Sequence, residues 1–168
     1  MNKSVFIFAI LFVALVLVQA LILNHIVLFN CAMCFVFIYF IVSLPLDVKP
    51  NLLLTLSFLL GLTVDMLSDT PGLNALSCTV LGALKRPVFF AYEQHDDQKR
   101  DISPATATMG FLNFAKYLFT MSALYCIVCF FTEYMNFADV IDILIRIGAS
   151  TVFTYIVILA LDSLIGKK

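Results

Sequence analysis

Continuous apolar runs of about twenty residues are the feature of this sequence that most restricts its fold. An α-helix needs roughly 20 apolar residues to cross about 30 Å of hydrocarbon, whereas a barrel strand alternates apolar and polar residues over roughly ten positions. Only 12% of the 168 residues are charged, about half of the ~25% typical of soluble domains. Because so few charges cannot cover a water-facing surface, the sequence predicts an all-α polytopic membrane protein.

Breaks between the apolar runs divide the chain into six predicted transmembrane helices within a single transmembrane domain, residues 1–168. The predicted spans are residues 5–23, 26–46, 51–67, 73–91, 111–131 and 147–165. Pro50 suits the first turn of the third helix, where no intrahelical N–H is required. The first run is too long for a signal-peptide core and lacks a small-residue cleavage site, so it is predicted to remain as a helix. The third and fourth runs are short, and two short or tilted helices are favoured over a re-entrant pair.

The distribution of lysine and arginine predicts the orientation of these spans, because positive charge concentrates in cytoplasmic loops. With the N-terminus inside, nine of the ten basic residues lie on or near the cytoplasmic side. Arg146 alone falls on the outer side. Six spans then place both termini in the cytoplasm.

The stretch GLTVDMLSDTPGLNA, Gly61 to Ala75, interrupts the apolar pattern with two aspartates. Asp65 and Asp69 lie one helical turn apart and share a helix face. Carboxylates are costly inside the membrane and therefore usually have a specific partner or function. Asp69 is interpreted as capping or beginning the turn before Pro71. Asp65, which lies deeper, is expected to make a polar contact between helices or to form a partner site.

Arg146 provides a cation at a depth similar to that of the two aspartates. One hypothesis is that Arg146 forms a bridge to Asp65 or Asp69 and thereby attaches the sixth helix to the third. The alternative is a surface pair between Asp142 and Arg146, four residues apart on one helix.

Two CxxC pairs and two histidines are the residues that could act as metal ligands or catalytic groups. They are Cys31 with Cys34, Cys126 with Cys129, and the separate residues His25 and His95. The cysteines fall within apolar predicted helices and are interpreted as packing residues. The histidines are predicted on opposite sides of the membrane, and no Ser–His pairing, HExxH or P-loop is present. The sequence therefore predicts no metal, no cofactor and no catalysis.

The order of Gly61, Leu62, Asp65, Ser68 and Thr70, followed by Gly72, Asn74 and Ala75, resembles the corresponding stretch of the MreD family. These are small bacterial membrane proteins with five or six predicted spans. The Lys85-Arg86-Pro87 sequence is also similar to the basic end of the fourth span in some members. The resemblance in size, span order and topology covers nearly the whole chain, and the specific motif covers about fifteen residues.

This resemblance implies a non-enzymatic scaffold or regulatory subunit of the rod-shape (elongation) machinery in the bacterial inner membrane. Its implied partners are an MreC-like bitopic protein and, directly or indirectly, MreB and the cell-wall synthases (a RodA-type glycosyltransferase and a class B penicillin-binding protein). The family also looks similar in fold to the substrate-binding S-components of energy-coupling-factor importers, so the alternative is a subunit that binds a vitamin-type small molecule. The predicted partner- or helix-contact residues are Gly61, Asp65, Asp69, Pro71, Gly72, Asn74 and Arg146, with Lys85 and Arg86 as the cytoplasmic basic end.

Overall fold

The computed structural model describes residues 2–21, 33–70, 72–92, 110–133 and 140–165. Within these ranges the regular structure is entirely helical. The helices are α1 (Asn2–Leu21), α2 (Ile38–Ser43), α3 (Pro50–Ser68), α4 (Leu73–Tyr92), α5 (Phe111–Glu133) and α6 (Val140–Ile165). The prediction of a helical membrane bundle is confirmed at this level.

Three of these helices contain segments long and apolar enough to cross a membrane. They are Pro50–Ser68, Phe111–Glu133 and Ile141–Leu164, and Phe8–Leu21 of α1 forms a shorter apolar helix. Large apolar side chains project from the outer surface of the bundle, with Met66 77% and Ile141 74% exposed. Such surfaces are unfavourable in water but suit contact with lipid.

The helix boundaries follow the predicted spans closely in the middle of the chain. α3 and α4 begin and end within one residue of the predicted third and fourth spans, and Pro50 occupies the first turn of α3. α6 differs, because it begins at Val140 rather than Ile147. Asp142 lies in its first turn, where a carboxylate is favourable beside the positive end of the helix dipole.

The predicted second span, residues 26–46, departs most from expectation in its described part. Residues 33–35 have no regular structure, residues 36–37 form a turn, and helix begins only at Ile38. A continuous helix through this stretch is therefore the wrong prediction. Residues 34–42 are nevertheless all buried, and non-helical backbone at membrane depth requires such enclosure by protein.

The short helix α2 and the irregular stretch before it lie in the middle of the bundle. α1 packs on α3, α3 on α4, α4 on α5 and α5 on α6, while α2 contacts α1, α4 and α5. Phe37, Ile38 and Ile41 have no measurable exposure. The described part of the second apolar run thus provides the core around which the longer helices pack.

Candidate functional site

The Asp65 carboxylate joins the end of α3 to the beginning of α4. Its Oδ1 accepts hydrogen bonds from the Thr70 hydroxyl, from the Asn74 backbone N–H at 3.1 Å and from Asn74 Nδ2 at 2.9 Å. Its Oδ2 accepts from the Ala75 N–H at 2.8 Å. The two backbone donors belong to the first turn of α4, whose N–H groups have no intrahelical acceptor. Asp65 therefore caps a neighbouring helix and stabilises the positive end of its dipole.

Asn74 extends this junction to α5. Its Nδ2 donates to Asp65 and also to Thr70 Oγ1 at 3.2 Å, while its Oδ1 accepts from the Tyr125 hydroxyl. The Tyr125 ring in turn packs on Phe35, with ring centroids 5.0 Å apart. We call Asp65, Thr70, Asn74 and Tyr125 the Asp65 network. It connects α3, α4, α5 and the irregular central stretch.

Gly61 allows the close approach on which this network depends. A Cβ atom at Gly61 would lie 2.4 Å from the Asn74 carbonyl oxygen and 2.5 Å from the Ala75 Cα. Both atoms belong to the α4 backbone, so no side-chain rotation could relieve the overlap. The single stretch from Gly61 to Ala75 therefore supplies the carboxylate, its hydrogen-bond donors and the glycine that allows their close approach.

Asp69 and Gly72 shape the turn through their backbones. Asp69 is an exposed C-cap of α3 with a left-handed φ of 57°, a conformation that aspartate adopts more readily than most residues. Its N–H and that of Thr70 both donate to the Asp65 carbonyl. Gly72 also has a positive φ, of 78°, and open space around it. The candidate Pro71 lies outside the described residues.

A bridge from Arg146 to Asp65 or Asp69 stays a prediction. Both carboxylate oxygens of Asp65 accept hydrogen bonds from Thr70, Asn74 or Ala75 donors. Two of these donors are backbone amides only nine and ten residues along the chain. Arg146 interacts electrostatically with Glu133 at the end of α5.

Lys85 and Arg86 bind the chain that connects α2 to α3. Lys85 is completely buried, and its Nζ donates to the carbonyl of Ile41 at 2.8 Å and to that of Leu44. Arg86 donates to the carbonyls of Leu46 and Val48 at 3.0 and 2.8 Å. Carbonyls at the end of a helix lack intrahelical donors, and cations there are stabilised by the dipole. The basic end of α4 therefore holds the end of α2 in place.

The irregular stretch before α2 is held by polar side chains from the first and last helices. Gln19 donates to the Cys34 carbonyl at 2.8 Å and accepts from the Val36 N–H at 3.1 Å. Ser150 accepts from the Met33 N–H at 3.0 Å, and Thr154 accepts from the Phe35 N–H at 3.1 Å. These bonds replace the helical ladder that the backbone lacks here.

Of the cysteines in the CxxC pairs, Cys34, Cys126 and Cys129 are buried and unoxidised, and Cys31 lies outside the described residues. Among the residues that the structure describes, no group of three or more histidine, cysteine, aspartate or glutamate side chains could hold a metal ion.

A cavity of about 220 Å³ adjoins the Asp65 network. It lies where α3 and α5 end and α4 begins, and its described lining includes Gln19, Phe35, Asn74 and Glu133. The cavity thus borders both the network and the irregular central stretch.

Sequence reasoning identified Gly61, Asp65 and Asn74 but did not single out Gln19, Tyr125 or Gly82. The signal that could have identified Gln19 is its position as a lone amide within an apolar run, because a polar group at such a position is typically paired. Gly82 lies opposite Ser57, whose Oγ would be 2.5 Å from an added Cβ. Nothing in the local sequence indicates that approach.

Comparison with known proteins shows no relative of this chain: no family model, no curated protein and no solved structure matches it.

Proposed function

We propose that this chain is a non-enzymatic scaffold or regulatory subunit of the rod-shape machinery, of the MreD type. The observation that supports this proposal is the arrangement of the motif. The carboxylate of Asp65 accepts four hydrogen bonds from within the chain. A carboxylate so occupied organises helix ends and is poorly placed to transfer protons.

The proposed location is the bacterial inner membrane, with both termini in the cytoplasm. The proposed partners are a bitopic MreC-like protein and, directly or through it, MreB and the lateral cell-wall synthases. Exposed apolar side chains along α6, among them Leu144, Ile145 and Val152, offer a surface for another transmembrane helix. Helix association within lipid depends on such packing faces.

Depletion of the protein in its own host tests this function. We expect elongated cells to become round, and expression of the wild-type chain to restore their shape. Affinity purification of the intact complex should recover a bitopic coiled-coil protein. Rods that keep their shape after verified depletion would remove the scaffold proposal.

The second candidate is a small-molecule-binding subunit of an importer, with a fold similar to that of S-components. The irregular backbone of residues 33–37 favours it, because non-helical backbone within the membrane lines the substrate sites of many transporters. Impaired uptake of one nutrient after depletion, with unchanged cell shape, would support this candidate over the scaffold.

A further inference from the structure

We propose that the cavity beside the Asp65 network is a binding site for a small organic amine, protonated at neutral pH and carrying one apolar ring. The site is enclosed by the ends of α3 and α5, the start of α4 and the irregular stretch before α2. This ligand-binding property goes beyond the scaffold function and does not depend on it.

The size of the cavity limits the ligand. About 220 Å³ corresponds to roughly seven water molecules at ~30 Å³ each. It is below the range of about 300–1,000 Å³ that accommodates drug-sized ligands. A molecule with a single ring and a short polar arm fits this volume, whereas a dinucleotide or a lipid headgroup with its chains does not.

The formal charge of the lining is negative. Glu133 is the charged residue among the described residues that line the cavity, and its side chain is exposed at the end of α5. Arg146 interacts with Glu133 electrostatically but is not part of the lining. A cationic ligand would share the Glu133 carboxylate with Arg146, while an anionic ligand would meet the like charge of Glu133 within the lining.

Among the described contacts, the Thr70 and Asn74 side chains at the site have acceptor capacity left but no donor hydrogen left. The Thr70 hydroxyl hydrogen is donated to Asp65, and both Nδ2 hydrogens of Asn74 are donated within the network. The Thr70 and Asn74 oxygens each accept one described bond and have a second lone pair. Gln19 donates one of its two amide hydrogens to a described partner, the Cys34 carbonyl. The lining therefore suits a ligand that donates hydrogen bonds, such as an ammonium group with its three N–H donors.

Two aromatic rings complete the site. Phe35 and Phe37 both line the cavity and stand edge to face, with centroids 6.3 Å apart. An aromatic face attracts cations, and an aromatic ring of the ligand can pack against Phe35, which is 8% exposed, whereas Phe37 is fully covered.

Three probes of nearly equal size and different charge separate these contributions: benzylamine, benzyl alcohol and benzoate. Each is titrated into the purified full-length protein in detergent and followed by ligand-observed NMR. Benzylamine is expected to bind saturably, more tightly than benzyl alcohol, with benzoate weakest. Absence of saturable benzylamine binding, or equal binding of benzoate, would overturn the proposal.

Two substitutions locate the site. Glu133→Gln removes the charge and is expected to weaken benzylamine binding on the order of tenfold, the scale of one charge-assisted hydrogen bond, while leaving benzyl alcohol unaffected. Val64→Phe fills the cavity and should abolish binding of all three probes. The matched control is Leu144→Phe on α6, where the side chain is 62% exposed, and it should bind like the wild type. Unchanged benzylamine affinity in Glu133→Gln would refute the assigned contact.

Cysteine labelling provides an independent measurement in the wild-type chain, should Val64→Phe fail to fold. Cys129 lines the cavity and is 5% exposed. Saturating benzylamine is expected to slow modification of Cys129 by a small methanethiosulfonate reagent, as read by peptide mass spectrometry. An unaltered rate at Cys129 under saturating benzylamine would contradict occupation of this cavity.

Discussion

Replacement of Gly61 by alanine gives the sharpest test of the junction between α3 and α4. The added Cβ would lie 2.4–2.6 Å from three backbone atoms of Asn74 and Ala75. Ordinary carbon contacts begin about 1 Å farther out, so the start of α4 has to move by about that distance. Because the clashing atoms are backbone, a change of rotamer cannot absorb the strain.

That displacement acts directly on the hydrogen bonds of Asp65. The Asp65 carboxylate accepts from the Asn74 and Ala75 N–H groups at 3.1 and 2.8 Å, and a shift of about 1 Å lengthens both beyond useful range. Overpacking costs about 1–3 kcal/mol, and each hydrogen bond to a charged acceptor contributes about 1.5–3 kcal/mol. The lower ends of these ranges, with two bonds lost, sum to about 4 kcal/mol, so we expect Gly61→Ala to lower the free energy of unfolding by at least about 4 kcal/mol.

Unfolding in mixed micelles with increasing dodecyl sulfate, followed by far-UV circular dichroism, measures this difference, since the chain has no tryptophan to report it. Gly148→Ala on α6 is the matched control, because nothing lies within 4 Å of its added Cβ. Gly82→Ala should fall between the two, because its Cβ meets chiefly the Ser57 side chain. If Gly61→Ala unfolds within about 0.5 kcal/mol of Gly148→Ala, the argument for close backbone approach is refuted.

Three further substitutions probe other parts of the structure. Asp65→Asn keeps the shape of the side chain but presents an amide donor to one of the N–H groups at the start of α4. We therefore expect the free energy of unfolding to be about 2–3 kcal/mol lower in the same assay. Stability equal to that of the wild type would contradict the capping role. Lys85→Met leaves the Ile41 and Leu44 carbonyls without their donor and should lower the free energy of unfolding by about 2–4 kcal/mol. The control Lys116→Met, at an exposed position, should change it by less than about 0.5 kcal/mol. Similar losses in both variants would be evidence against the buried contact. Gln19→Leu should accelerate hydrogen exchange at the Val36 amide at least tenfold, because loss of a hydrogen bond worth about 1.4 kcal/mol changes the opening equilibrium by that factor. An unchanged exchange rate would show that Gln19 does not hold the irregular stretch before α2.

The limits of α3 and α4 were predictable because hydropathy and local turn chemistry determine them. Pro50 marks the beginning of α3, and Asp69 and Gly72 mark the turn that follows it. Local chemistry singled out Asp65, whereas only the resemblance to the MreD motif grouped it with Gly61 and Asn74. Neither could supply their partners, because Tyr125 is 51 residues from Asn74 along the chain.

The irregular stretch before α2 was not predictable for a related reason. Its composition is as apolar as that of a transmembrane helix, so hydropathy predicts a continuous span. What permits the break is a set of side chains that lie far away in sequence, Gln19 on one side and Ser150 and Thr154 on the other. A short sequence window cannot contain both the irregular stretch and the distant side chains that hydrogen-bond to its backbone.

The distant hydrogen bonds of this stretch have a consequence for biogenesis. The Met33 and Phe35 amides obtain their acceptors, Ser150 and Thr154, only after 117 and 119 further positions of chain have been synthesised. Tyr39 likewise donates to Asp162, 123 positions later. Until the last helix leaves the ribosome and inserts, the middle of the bundle has unpaired amides, and a nascent chain cut short before α6 cannot complete its core.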